Sequence, residues 1–391
     1  MPASPRLRTR TRAGVSALTA GVLVFALAGC AFGPPGDTSG EPPNLPTPTV
    51  SPTPSPSQSP TDDGGLGVQV LVKNLAVPWG MAFLPDKNAL VTERDSHRIL
   101  KVAPNGATTT VQTLKQVAGK GEGGLLGIAV SPKYATDKTV FIYYSTASDN
   151  RIAKLVLGGQ PQPIVTGIPV ADHHDGGRLA IGPDGYLYAG TGDAGTTANA
   201  QNTSSLGGKI LRMTLDGKPA PGNPFPNSLV YSYGHRNVEG LAWDAKNRLY
   251  ATEFGQDKFD ELNLIQPGKN YGWPTVEGTG QDPKFVNPLQ TWPTSQASPA
   301  GLAIAGNNAV LGALTGKCLW VVGLDASTGQ VTGKPQDALK GQYGRLRTVM
   351  VAPDGSLWVT TSNKDGRGSP AADDDKILRV VPPGGGGVSQ L

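Results

Sequence analysis

Between residues 66 and 382 one pattern recurs six times, and no other feature of the chain limits its fold as strongly. A short apolar run leads into a turn, and a second apolar run leaves it. The copies read MAFLPDKNALVTERD from Met81, IAVSPKYATDKTVFIYYS from Ile128, LAIGPDGYLYAGTGD from Leu179, LAWDAKNRLYATEFG from Leu241, LAIAGNNAVLGALTG from Leu302 and VMVAPDGSLWVTTSN from Val349. Successive starts are 47, 51, 62, 61 and 47 residues apart. Each copy reads as a hairpin whose turn, Pro-Asp-Gly or an equivalent, supplies the backbone angles of a tight reversal. The flanking runs alternate or are wholly apolar, as in strands packed on both faces. Third strands are expected over Arg98–Val102, Lys209–Met213, Glu261–Ile265 and Lys376–Val380. Four-stranded units repeating every roughly 40–60 residues are propeller blades. The expected fold class is therefore all-β, a six-bladed β-propeller over residues 66–382, with a short tail over 383–391. A β-sandwich would not share a residue-level repeat. Whether a strand from one terminus closes a blade at the other is open at this stage.

Composition agrees with many turns and short strands: 53 Gly, 35 Pro and 16% charged residues in 391. The net charge of +4 is carried by the first residues. Arg6, Arg8, Arg10 and Arg12 lie in a segment, 1–29, that has no acidic residue, and without it the chain is neutral. The basic balance therefore belongs to that segment and is no sign of a nucleic-acid partner, and none is expected. The arginines precede a small, apolar stretch over 13–28, the pattern of an export signal. It ends in Leu27-Ala28-Gly29-Cys30, which resembles a bacterial lipobox with Cys30 acylated and left as the mature N-terminus. The expected organisation is a lipoprotein signal peptide (1–29), a Pro/Ser/Thr-rich tether (30–65) and the propeller, held at the outer face of the cell membrane. The tether lacks the apolar residues to bury a core. The other cysteine, Cys318, lies in an apolar stretch and is expected to be buried and inert.

The polar residues that interrupt the blades recur at corresponding places, which puts them on one face around the channel. Glu122 stands among glycines in Gly121–Gly127, where backbone can approach a ligand closely. His173 and His174 precede Asp175-Gly176-Gly177-Arg178, and Gly192-Asp193 follows on the next strand. A histidine is the natural base near neutral pH, and a carboxylate can fix its tautomer. His235-Arg236-Asn237 opens the fourth copy, and Glu253-Phe254-Gly255-Gln256, Asp260-Glu261 and Asn270-Tyr271-Gly272-Trp273-Pro274 follow it. Carboxylates beside carbonyl-exposing turns suit a hard cation such as Ca²⁺. Arg345 and Arg347, two apart on a strand, point the same way and suit a polycarboxylate. No zinc spacing, EF-hand loop, Rossmann glycine fingerprint or G-x-S-x-G elbow is present.

Taken in order, HH-x-GGRL-x-IGPDG, GD-x-G, GGKILR, GHRN-x-x-GLA, DE-x-N and NYGWP resemble the soluble quinoprotein glucose and aldose sugar dehydrogenases over nearly the whole of 66–382. The resemblance implies a six-bladed propeller that binds pyrroloquinoline quinone (PQQ) and Ca²⁺ and passes electrons from an aldose to an external acceptor, as a monomer or homodimer. It implies His174 as the base that takes the anomeric hydroxyl proton, with Asp193 orienting it. Glu122, Asn237, Arg345 and Arg347 would contact the cofactor. The carbonyls of Gly255 and Gln256 would bind the catalytic Ca²⁺, and Glu261 with the Tyr271 carbonyl a structural one. The chain departs from the family's pattern at Gln256, where a proline is common, and at Thr315, where glucose-specific members have a cofactor-contacting lysine and this chain has Lys317 two residues on. His173 replaces an aspartate of those members. The broad-specificity aldose branch is the better match. Two other classes fit parts of the pattern. A calcium-dependent propeller lactonase would gather Glu122, Asp193 and Asn237 on one ion but has no use for the arginine pair. A non-catalytic binding propeller has no need of a His174–Asp193 pair.

Overall fold

The computed structural model describes residues 66–381. The expected signal peptide, Cys30 with its tether to residue 65, and the tail over 383–391 lie outside the described residues. Each repeat forms a four-stranded antiparallel sheet, six in all. The innermost strands, in chain order, are Pro78–Phe83, Leu125–Val130, Leu179–Ile181, Val238–Trp243, Pro299–Ala305 and Leu346–Val351. Each packs on its neighbours, and the sixth packs on the first, so the six-bladed propeller is closed. The third strands occur at Arg98–Val102, Lys209–Met213, Phe259–Ile265 and Ile377–Val381, within two residues of the expected bounds.

Ring closure crosses the termini. The sixth blade supplies three strands of its own, and its outermost strand is Gly67–Val72. That strand pairs with Ile377–Val381 in a register running from Gly67 opposite Val381 to Val72 opposite Ile377. Six of the buried apolar clusters each lie between two neighbouring blades. Phe141, Tyr143 and Ile152 of blade two, for example, pack against Leu187 and Leu211 of blade three. Every sheet is thus covered on both faces, which is why its inner strands read as continuous apolar runs. Cys318 is buried and unpaired.

The two ends of the ring differ in chemistry. At one end lie the turns joining first to second strands. There Asp86, Asp184, Asp244 and Asp354 each accept a backbone N–H of their own turn. The same four carboxylates pair with Lys101, Arg212, Arg248 and Arg379. At the other end lie the loops that enter each inner strand and those that join second to third strands. All the candidate site residues read from the sequence between 122 and 347 fall in or beside loops of this second kind of end.

The closing strand carries Val68, Val70 and Val72 into the core. A chain beginning at Lys73 should therefore unfold at least roughly 10 °C below one beginning at Leu66, since several apolar side chains and a strand ladder are lost. Coincident thermal midpoints would show that the ring does not depend on this strand.

Candidate active site

A cavity of about 170 Å³ is lined by Trp79, Arg94, Glu122, Asp175, Glu239 and Arg347, together with Asp365 and Arg367. These come from five of the six blades or the loops entering them, so the cavity lies on the ring axis. Its inner end is a layer of buried charge. The Arg347 guanidinium meets Glu239 at 2.6 Å and donates from Nε to Ser362 at 3.1 Å. Arg178 donates to the Glu239 carbonyl at 2.6 Å and to Thr348 at 3.1 Å, with its guanidinium 4.4 Å from the Trp79 ring centre. Burial pulls Arg178 down to about 10, which leaves it a cation at neutral pH. Burial also raises the Glu239 carboxyl, and Arg347 and Arg178 oppose that shift.

His174 sits on the loop entering blade three. It is buried and held at φ 61°, a conformation costly for a residue with a Cβ. Three contacts hold it there. Its N–H donates to Glu122 Oε2 at 2.8 Å, its carbonyl accepts the Ala194 N–H at 3.1 Å, and its ring Nδ1 lies 2.7 Å from Asp193 Oδ1. Burial would raise the Asp193 carboxyl, but the bond to His174 and those from Trp273 and Gly195 outweigh it and hold it below its ordinary value. An ionised Asp193 can only accept, so Nδ1 carries a proton, and in the neutral imidazole the lone pair is then on Nε2. Asp193 lies on the loop that leaves the second strand of the same blade, Leu187–Gly190, packed so closely that a Cβ on Gly192 would come 1.8 Å from the His174 carbonyl. Burial would likewise raise Glu122, but the His174 amide and Arg367 hold it below its ordinary value. Arg367 reaches Glu122 Oε1 at 2.6 Å from a loop of blade six.

The other expected residues are placed as follows. Asn237 is buried, accepts the Gly176 N–H at 2.9 Å and donates to Glu239 at 3.3 Å, so it links the base's loop to the charged layer. Arg345 and Arg347 share Asp365 at 2.9 and 3.6 Å, in keeping with a common face, though only Arg347 lines the cavity. Thr315 and Lys317 are exposed on a blade-five loop at the same end of the ring, where Thr315 meets Ser298, and neither lines the cavity.

Gly255, Glu261 and Tyr271 line a second, smaller pocket in blade four with Glu253 and Glu277. Glu253 and Glu261 face each other across adjacent strands, and burial and then this neighbour push Glu261 up. Asn263 bridges the two carboxylates through Nδ2 at 2.9 and 3.0 Å, and its buried Oδ1 has no hydrogen-bond partner. Two opposed carboxylates and an orphaned amide oxygen are the donor chemistry of a hard cation. The amides of Gln256, Asp257, Lys258 and Phe259 all donate to Glu277 Oε1, and that of Gly255 to Asp260. What this loop offers a cation is thus its carbonyl oxygens.

A family model described as Glucose / Sorbosone dehydrogenase matches residues 75–378. The chain belongs to that family. It is an oxidoreductase built on the six-bladed propeller. The PQQ-bound form of an aldose sugar dehydrogenase from Streptomyces coelicolor superposes with a TM-score of 0.78 at 49% identity, covering 82% of this chain and 99% of that one. An aldose sugar dehydrogenase of Escherichia coli K12 is 29% identical over 81% of this chain and 93% of its own length. The quinoprotein glucose dehydrogenase B of Acinetobacter calcoaceticus is 31% identical over 56% of this chain and 54% of its own.

Reading the sequence missed Arg178, Glu239, Asp365, Arg367 and Trp273. Arg178 and Trp273 stand inside motifs that were read, so the motifs themselves were the available signal. Arg367 meets Glu122 across 245 positions, and no local pattern marks such a pair.

Asp175 offers a test of the electrostatics. Its buried Oδ2 lacks a hydrogen-bond partner, and burial pushes the carboxyl up to about 6 against the bonds from Asn150 and Ala171. The folded protein favours its protonated form. That contribution to stability is complete below the unfolded value of about 4 and is lost as the pH rises through 6. Between pH 4 and 8 the parent chain should lose roughly 2–3 kcal/mol relative to Asp175→Asn in paired denaturant titrations. A pH-independent difference would contradict the shift.

Proposed function

We propose that the protein oxidises aldose sugars at the anomeric carbon to lactones, with PQQ bound at the axial cavity, Ca²⁺ at the blade-four loop and His174 as the base. The observation that carries this reading is the buried His174–Asp193 pair at 2.7 Å beside a cavity walled by arginines. The 49% identity to a PQQ-bound aldose sugar dehydrogenase supports the cofactor.

The residues fit such a group. PQQ carries three carboxylates, and Arg94, Arg347 and Arg367 line the cavity, with Asn237 beside them. Carboxylates also line it, so a cation is needed to complete the charge balance. The carbonyls of Gly255 and Gln256, on the blade-four loop outside the axial lining, would hold the catalytic ion, and Glu261 with Tyr271 a second one. When bound, PQQ with its Ca²⁺ supplies the two-electron acceptor for the hydride of the anomeric carbon. The chain supplies the rest. His174 Nε2 takes the anomeric hydroxyl proton. Asp193 holds the opposite ring nitrogen and stabilises the imidazolium that results. Glu122 fixes the His174 backbone and presents a carboxylate to sugar hydroxyls. Arg178 and Arg347 keep the cavity's inner end positive and closed to bulk water.

A lactonase would need several side chains on one ion. Here Glu122 is taken up by the His174 amide and Arg367, Asp193 by His174 and Trp273, and Asn237 by Gly176 and Glu239. A purely binding role leaves the His174–Asp193 pair without a use.

The test is dye-linked turnover of an aldose panel by the domain loaded with PQQ and Ca²⁺. His174→Ala should lower kcat by roughly 10²-fold or more with PQQ affinity little changed. Arg347→Ala should weaken PQQ binding by about 10-fold or more, since a buried charge-assisted contact is lost. Turnover without PQQ, or no PQQ binding by titration, would contradict the reading.

The proposed site of action is the outer face of the cell membrane, through a lipid on Cys30. Cys30→Ser should move the protein from the membrane fraction to the soluble one, and an unchanged distribution would contradict anchoring at Cys30.

A further inference from the structure

Asp193 is wholly buried, and its carboxylate accepts three hydrogen bonds. Oδ1 faces His174 Nδ1 at 2.7 Å and the Gly195 amide at 2.8 Å. Oδ2 accepts the indole Nε1–H of Trp273, also at 2.8 Å. Trp273 belongs to a loop of blade four, 80 positions further along the chain. Its placement is over-determined. Its N–H donates to the Gly234 carbonyl at 2.9 Å, and its carbonyl accepts Gln201 Nε2 at 2.6 Å. Gln201 ends the short helix Ala198–Gln201, and Asn199 of that helix donates to the Asp193 carbonyl at 3.0 Å. The Arg236 guanidinium lies 5.5 Å from the indole centre, and the Arg236 carbonyl accepts the Asp193 amide at 2.8 Å. The loops that bear Asp193 and Trp273 are therefore stapled together on two sides, and the indole is aimed at one oxygen.

The chemistry of that contact is one-sided. An indole N–H donates and cannot accept. With an amide on Oδ1 and an indole on Oδ2, Asp193 is surrounded by donors, which favours its ionised form and stops it rotating away from the imidazole. We infer that Trp273 is a positioning residue, whose indole N–H locks the Asp193 carboxylate in the orientation that keeps the proton on His174 Nδ1 and the lone pair on Nε2. The inference rests on the reading of His174 as the base. It assigns a tautomer-setting role to a blade-four loop that also carries Tyr271 and Glu277 of the smaller pocket.

Two variants remove the donor. Trp273→Phe keeps an aromatic ring, and 3-benzothienylalanine incorporated at position 273 keeps the indole outline with sulfur in place of N–H. The chain has four histidines, so ring ¹⁵N spectra of histidine-labelled protein resolve the tautomer of His174 without cofactor or turnover. Both variants should shift His174 from the Nδ1–H form toward a mixture. In the PQQ-loaded enzyme they should lower kcat by roughly 10–100-fold, with the aldose KM and PQQ affinity within about twofold of the parent. A lining or packing role would move KM or cofactor affinity and leave the tautomer alone. If the benzothienyl protein keeps both the parent ¹⁵N spectrum and the parent kcat while His174→Ala is inactive, the role of the indole is overturned and the base assignment stands. Full turnover by His174→Ala would overturn the base assignment and this inference with it.

Discussion

Everything at the axis depends on how closely the six inner strands approach one another. At Gly127 a Cβ would fall 2.1 Å from the Gly177 carbonyl of the next blade, and at Gly240 it would fall 2.5 Å from the Ala300 carbonyl. Second-strand threonines reinforce the approach: Thr92 donates to the Leu126 carbonyl and Thr252 to that of Ala300, each across a blade boundary. Blade spacing is thus set by glycine and threonine on the axial side and by apolar clusters further out. The N-terminal strand then closes the circle. No single blade could hold this geometry, because each sheet needs a neighbour on both faces to bury its side chains.

That spacing is what makes the polar centre stable. Arg178, Glu239 and Arg347 come from three different blades and are all buried. Buried charges carry a large desolvation cost unless their partners are held in good geometry. Here the ring fixes the partners, and Arg178 stays a cation at neutral pH despite its burial. The same rigidity holds His174 in its left-handed conformation and presses it on Asp193. Strain of this kind persists only where the surroundings over-determine it.

The parts of the fold carried by local pattern could be read before any coordinates. Hairpins with Pro-Asp-Gly turns and third strands such as Arg98–Val102 depend on neighbours a few residues away. The closing strand Gly67–Val72 is left open by the sequence, because its partner lies at the far end of the propeller and the alternation of Val68, Val70 and Val72 does not say which strand it pairs with. In the site, the motifs pointed to His174, Asp193 and Asn237, which the structure brings together by hydrogen bonds. Thr315 and Lys317 stay outside the cavity lining because their loop runs over the exposed rim of blade five. Asp365 and Arg367 were invisible for a simpler reason. Asp-Gly-Arg-Gly reads as an ordinary turn until the fold carries it over the axis to meet Arg345 and Glu122.

The central claim is that the axial cavity is the place where sugar oxidation occurs, with the quinone bound against His174 and the arginines. A crystal structure of the protein grown with PQQ and Ca²⁺ tests it most directly. The account predicts quinone density in the cavity in contact with Arg347, with a cation at the carbonyls of Gly255 and Gln256 and the His174 ring facing the cofactor. Quinone density elsewhere on the propeller, or an empty cavity at saturating PQQ, would contradict it.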